Sequence, residues 1–261
     1  MKSSLTILMC LALFTSCKTE KKENTAESSA QKKTEVNEEK KPETMNSIFE
    51  LAINQSKENQ HQEFLNTRAA FVDVLGKEKA TLNEAKWQPF FTVVPDMDLG
   101  RVLAGMTEWN SMQGFGEAAM RLLPQKEAVD YFLTFNPLAY ALLETVDGKP
   151  FDIESIKKEG TVVEFAVRKG KTSDAFGTTR DAFFKSLESY EGYRFAREFK
   201  VYKLNEQGIP NLAENTQAVV IVWDNAEQFQ AAAQPVFASK EYADFAGVID
   251  VETYFATSPI K

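Results

Sequence analysis

The sequence predicts an α+β protein in which two tandem βαββαβ units set their four-stranded sheets face to face as one intramolecular barrel, with helices outside. Three observations predict it. The chain matches itself when shifted by 114 residues. Strand-like and helix-like periodicities follow in the same order in both copies. At 261 residues with 43% apolar and 11% aromatic side chains, the composition is globular and large enough for one big or two small domains.

Residues 1–17 read as an export signal. Lys2 gives a positive start, and Leu5–Phe14 is an apolar run of ten residues broken only by Thr6. Such a run is too short to span a bilayer and suits a signal peptide. Its end, Phe14-Thr15-Ser16-Cys17, resembles a bacterial lipoprotein signal, in which small residues precede a lipid-modified cysteine. Removal of the signal takes Cys10 with it and leaves Cys17 as the one cysteine of the mature chain. Lipidation would keep that thiol out of wrong disulfides in an oxidising envelope, and several acyl chains would anchor the protein stably. The expectation is a bacterial envelope lipoprotein, on the outer membrane or periplasmic face, held through Cys17.

Residues 18–45 hold seven Lys and seven Glu, no aromatic residue and one valine. Too little apolar surface is present to offset the cost of ordering, so the segment is expected to be a solvated tether. Its charges cancel. The net charge of -8, with Lys2 set aside, therefore becomes about -9 on residues 46–261. That balance excludes a basic nucleic-acid footprint.

The duplication spans 46–147 and 148–261. Under the 114-residue shift Glu50-Leu51-Ala52-Ile53 falls on Glu164-Phe165-Ala166-Val167, Trp109 on Trp223, Lys126-Glu127 on Lys240-Glu241 and Tyr140 on Tyr254. A shift of 112 aligns Phe64, Arg68, Phe71 and Leu75 with Phe176, Arg180, Phe183 and Leu187. First strands are expected at 48–53 and 161–168, from alternating apolar residues. The stripes from Phe64 and Phe176 follow i, i+4, i+7, i+11 and predict first helices. Second strands are expected at 87–94 and 195–203, third strands at 102–109 and 218–223. Second helices should run in pieces from Met112 to Phe132 and from Ala226 to Phe245, broken or kinked at Pro124 and Pro235. Fourth strands close the copies at 138–144 and 248–255, and Asp147-Gly148-Lys149-Pro150 marks a turn between them.

Each unit has the ferredoxin-like arrangement, with helices on one sheet face. A second copy can cover the other face, so the tandem chain needs no partner chain. The pattern resembles the dimeric α+β barrel superfamily over residues 46–261. The stretch from Val219 to Ala232, with Trp223-Asp224-Asn225, resembles the strand-Trp-helix segment of antibiotic-biosynthesis-monooxygenase-like members, and 102–119 does so less closely. The superfamily it resembles includes cofactor-free oxygenases, haem-degrading enzymes, isomerases, lyases and members with no known activity. The leading expectation is a small ligand bound between the two sheets; the alternatives are an enzyme of the same fold, as a cofactor-free monooxygenase or a Glu/Tyr-dependent isomerase or lyase, and a structural or partner-binding module.

In the first strands Glu50 and Ala52 oppose Phe49, Leu51 and Ile53, and Glu164 and Ala166 oppose Val163, Phe165 and Val167. Since the helix-covered face needs apolar residues, Glu50 and Glu164 are expected to point between the sheets, with Tyr140 and Tyr254 beside them on the neighbouring fourth strands. A partly buried Glu can act as a general base and a Tyr as an acid or donor. Arg68 and Arg180, inside apolar stripes, either bind an anionic ligand or pair with a carboxylate such as Glu50 or Glu164. Related oxygenases use a Trp and an Asn in substrate binding, which marks Trp109-Asn110 and, with Asp224 in place of Asn, Trp223 as ligand-binding candidates; packing is the alternative for both. His61 is a lone histidine expected at the surface. No phosphate loop, GxSxG, HExxH or paired CxxC is present, so no cofactor or metal is expected.

Overall fold

A computed structural model describes residues 47–94, 96–171 and 174–260. The signal segment, Cys17 and the tether lie outside the described residues. The chain forms β1 (Ile48–Ser56), α1 (His61–Leu75), β2 (Thr81–Thr92), β3 (Val102–Trp109), α2 (Met112–Leu122), α3 (Lys126–Phe132) and β4 (Phe135–Thr145). After the one-turn α4 (Ile153–Ile156) come β5 (Val162–Gly170), α5 (Phe176–Leu187), β6 (Tyr193–Leu204), β7 (Pro210–Trp223), α6 (Ala226–Ala238), α7 (Lys240–Gly247) and β8 (Ile249–Pro259).

The eight strands close into one antiparallel barrel in the order β1-β3-β2-β8-β5-β7-β6-β4. Within 47–147 the first strand lies between the third and fourth, and the second flanks the third. Within 148–260 the order is the same. Two seams, β2–β8 and β4–β6, join the halves. Both are short: β6 meets β4 only along Leu142–Thr145, leaving the earlier part of β4 without a neighbour on that side among the described residues.

The first helices bury the stripes read from the sequence. Phe64, Arg68 and Leu75 are buried on α1, and Phe183 and Leu187 on α5. Pro124 falls in the gap between α2 and α3. Pro235 differs from expectation: α6 continues through it to Ala238. The break comes at Ser239, whose extended backbone stops α6 and whose hydroxyl caps α7 by accepting from the Tyr242 N–H. Strand β2 begins six residues before the expected Trp87, at Thr81, and carries Pro89 at a bulge on its seam with β8. Strand β7 begins at Pro210 because a tight hairpin with Gly208 at φ +74° extends it back onto β6.

The barrel interior is a packed apolar core. Phe49, Leu51, Ile53, Trp87, Met106, Val163, Phe165, Phe199, Val220 and Phe255 meet there, all at most 1–2% exposed. The segment between the halves does more than turn. Phe151, Ile153 and Ile156, from α4 and the residue leading into it, enter the same core; the Phe151 ring lies edge-on to Phe49 at 5.3 Å and to Phe199 at 5.1 Å. Burying each such side chain contributes roughly 1.5–3 kcal/mol. Smaller apolar layers lie on the outer sheet faces, where α1 packs with α3 and α5 with α7.

Candidate active site

The ladder register places Glu50 and Glu164 on the outer faces, under the helices. Glu50 stands opposite Thr107 and Leu142, and Leu142 belongs to the apolar layer beneath the first half's helices. Glu164 stands opposite Ile221 and Ala256, both in the second half's helix layer. This corrects the expectation that both carboxylates face the space between the sheets. Alternation separates two faces without saying which goes inward. Here the packed interior takes the larger residues, Phe49, Leu51, Ile53 and Phe165, and the helix layer takes the mixed face.

The expected Glu–Tyr partnership is present on that outer face, and each tryptophan completes it. Tyr254 lies two residues diagonal to Glu164 on β8, and Trp223 two residues diagonal on β7, within reach of long side chains. The Trp223 Nε1–H donates to Glu164 Oε1 at 2.5 Å, and the Tyr254 hydroxyl donates to Oε2. In the first half Trp109 Nε1–H donates to Glu50 Oε2 at 3.0 Å, and Tyr140 hydrogen-bonds the same carboxylate. Glu164 is only 7% exposed. Burial pushes the carboxyls of Glu50 and Glu164 above the usual range, and the Tyr and Trp bonds partly oppose that rise. Burial and the adjacent carboxylates hold the Tyr140 and Tyr254 hydroxyls well above their ordinary value.

The two centres differ in cover. Tyr140 leaves 37% of its surface in solvent although its hydroxyl turns inward onto Glu50. Over Tyr254 the end of β2 folds across from the other half. Phe91 lies edge-on to Tyr254 at 6.1 Å, Phe90 edge-on to Phe229 at 5.8 Å, and Thr92 Oγ1 donates to the Tyr254 carbonyl at 2.8 Å.

Arg68 and Arg180 pair with carboxylates other than Glu50 and Glu164. The Arg68 guanidinium bonds Glu84 of β2, and sits where a Cβ on Gly105 would come within 3.3 Å of it, so the glycine leaves its room. Arg180 donates to Asp181 at 2.7 Å, and its Nε lies 3.8 Å from Glu198 of β6. Glu198 is held mainly by Arg168, which is 3% exposed between the rings of Phe184 and Phe245, at 5.2 and 4.9 Å. Burial lowers the Arg168 guanidinium to about 10. Sequence reasoning missed Glu84, Glu198 and Arg168. The two glutamates match under the 114-residue shift and could have been found that way. Arg168 falls on Asn54, so no repeat marked it.

Asn110 lies apart from Glu50. Its Oδ1 accepts from the Ser111 hydroxyl at 3.1 Å and its N–H donates to the Ala80 carbonyl at 2.8 Å, which fixes the turn into α2. His61 begins α1, half-buried, with Nδ1 3.1 Å from the Ser56 hydroxyl. These residues do not fit a haem: the chain's one histidine is engaged by Ser56 and borders neither cavity described below. Among the described residues no group of three or more His, Cys, Asp or Glu could hold a metal ion.

Two cavities stand out among the described residues. One, of about 420 Å³, opens between α5 and β6 and is lined by Phe184, Lys185, Tyr193, Arg197 and Glu198 among others. The other, of about 230 Å³, lies at a barrel mouth beside the unpaired part of β4.

The fold is a closed antiparallel eight-stranded α+β barrel with helices outside, and each half carries a Glu–Tyr–Trp cluster under its helices. Two solved structures bear out the fold. An anthrone oxidase-like protein superposes with a TM-score of 0.55 at 10% identity, over 81% of this chain and 91% of that one. A chlorite dismutase-like protein does so with 0.54 at 6% identity, over 83% and 96%. A monooxygenase-like protein from Fusobacterium nucleatum gives 0.48 at 11% identity, over 83% and 94%. No family model and no curated protein matches the sequence.

Proposed function

We propose that this chain is an envelope-anchored enzyme of the α+β barrel fold, working by cofactor-free oxygenation or by Glu/Tyr-dependent isomerisation or elimination. The observation that carries the reading is the buried Glu164, raised in pKa and held by one tyrosine and one tryptophan, with the same set repeated at Glu50. Glu164 accepts a proton from a carbon or oxygen acid. Tyr254, once its bond to Glu164 yields to substrate, donates to the oxyanion that forms. Trp223 keeps the carboxylate aimed. An enolate made this way can be oxidised by dioxygen without a metal. The likeness to an anthrone oxidase-like fold makes anthrone the first probe. Oxygen uptake with anthrone should fall about 100-fold in Glu164→Gln, the lower range for losing a general base. Uptake absent in the unmodified protein, or unchanged in the variant, would remove the oxygenase form of the reading.

The two halves are proposed to descend from one duplicated ferredoxin-like unit. Their equal strand order and the 114-residue self-match support this. The anchor is proposed at Cys17, with 18–45 as tether. Cys17→Ser should move the protein from the membrane to the soluble fraction; retention on membranes would count against lipid attachment. A second reading, ligand binding between the sheets without catalysis, is favoured by one feature only, the 230 Å³ cavity at the barrel mouth.

A further inference from the structure

The packed core leaves a gap at one mouth of the barrel. Between β1 and β4 on one side and β5 and β8 on the other lies the cavity of about 230 Å³, lined by Leu51, Ala139, Ala141, Val167 and Thr253. Its origin is legible in the ladder. Strand β4 pairs with β1 along nearly its whole length, but with β6 only from Leu142 onward. The seam is open beside 138–141, and the small side chains of Ala139 and Ala141 do not fill the opening.

We propose that this opening is a binding site for a small neutral molecule of mixed polarity, about the size of one aromatic ring, held between the two sheets. Size comes first: a lined apolar void of about 150 Å³ already accommodates benzene. Leu51, Ala139, Ala141 and Val167 offer an apolar bed for the body of such a molecule. The polar end meets the strand edge of β4, the Thr253 hydroxyl and the rim pair Lys203–Glu252, 2.8 Å apart. That pair is neutral in sum, so it offers no net charge to attract an ionic ligand. Its side chains are 49% and 35% exposed, so parting them to admit a ligand costs little. Tyr140 borders the cavity at the edge of β4, while its hydroxyl lies on the outer face of the sheet, on Glu50. The site does not rest on the enzyme reading.

The test uses phenol as the probe on the full chain, followed by methyl NMR signals. Saturable shifts are expected at Leu51 and Val167. They should weaken at least about tenfold in affinity in Ala139→Leu, which fills the opening. Should that variant fail to fold, Ala139→Val adds two carbons at the same place and should weaken phenol in the same direction. Non-saturating shifts, shifts centred on Leu142 of the outer face, or undiminished binding in a folded Ala139 variant would overturn the site. Glu164→Gln should leave phenol binding unchanged. A protein that binds phenol here but has no oxygen uptake would keep the site and lose the oxygenase form of the enzyme reading; oxygen uptake without phenol binding would keep that form and lose the site.

Discussion

Glu164, the base of the proposed chemistry, also makes the stability of the fold depend on pH. Its carboxyl is buried, and burial raises its pKa above the ordinary 4.5. The folded protein therefore holds this proton to higher pH than the unfolded chain does. From about pH 4.5 upward the unfolded state has released the proton and the folded state has not, so this site's contribution to stability falls as pH rises, until the folded carboxyl ionises too. Glu164→Gln should remove that slope. Urea midpoints measured from pH 4 to pH 8 should decline less steeply in the variant than in the unmodified protein, and an identical slope would mean that Glu164 stays ionised throughout. The glutamate, tyrosine and tryptophan were each legible in the sequence because the repeat marked them twice. Their direction was not. Strand alternation is blind to which face is sealed, and here both faces are covered. The ion pairs of Arg68 and Arg180 show the same limit: the arginines stood out within apolar stripes, but their partners Glu84 and Glu198 lie on second strands whose position across the sheet only the fold supplies.

Among elements, the least legible in the sequence puts its apolar side chains into the barrel core. Residues 147–150 read as a turn, and so they are, with Gly148 at φ +65°. The apolar residues just beyond, Phe151, Ile153 and Ile156, are too few to declare a helix by period. They nevertheless close the barrel end, because a barrel of two open-faced sheets leaves apolar side chains to be covered where strands stop. Asp152 helps to seat the turn of helix by accepting from the Glu154 N–H at 2.9 Å. Ile153→Ala should cost about 2–5 kcal/mol in chemical denaturation, the range for truncating a fully buried aliphatic side chain. Met120→Ala on the exposed face of α2, where Met120 is 68% exposed, should change stability by no more than about 0.5 kcal/mol. Equal losses at both positions would show that α4 is a surface feature and not a plug.

The whole molecule is one barrel made by two halves, and neither half can hide its inner face alone. The inner core draws Phe49, Leu51, Ile53, Trp87 and Met106 from the first half and Val163, Phe165, Phe199, Val220 and Phe255 from the second, with the plug between them. Cutting the chain at 147 would expose one complete inner sheet face on each piece, far more contiguous apolar surface than a soluble monomer tolerates. The seams add little independent support, since β6 meets β4 over only four residues, Leu142–Thr145. Expressed separately, residues 46–147 and 148–261 should therefore give no monomeric species with a cooperative melt. Expressed together, they should associate one to one, because the inner faces and the plug segment at the start of the second piece are complementary. Size-exclusion chromatography with light scattering, followed by thermal melts of the isolated and paired pieces, reads this directly. A cooperatively folded monomer of either half would mean that the helix layers carry the stability and that the shared interior is secondary.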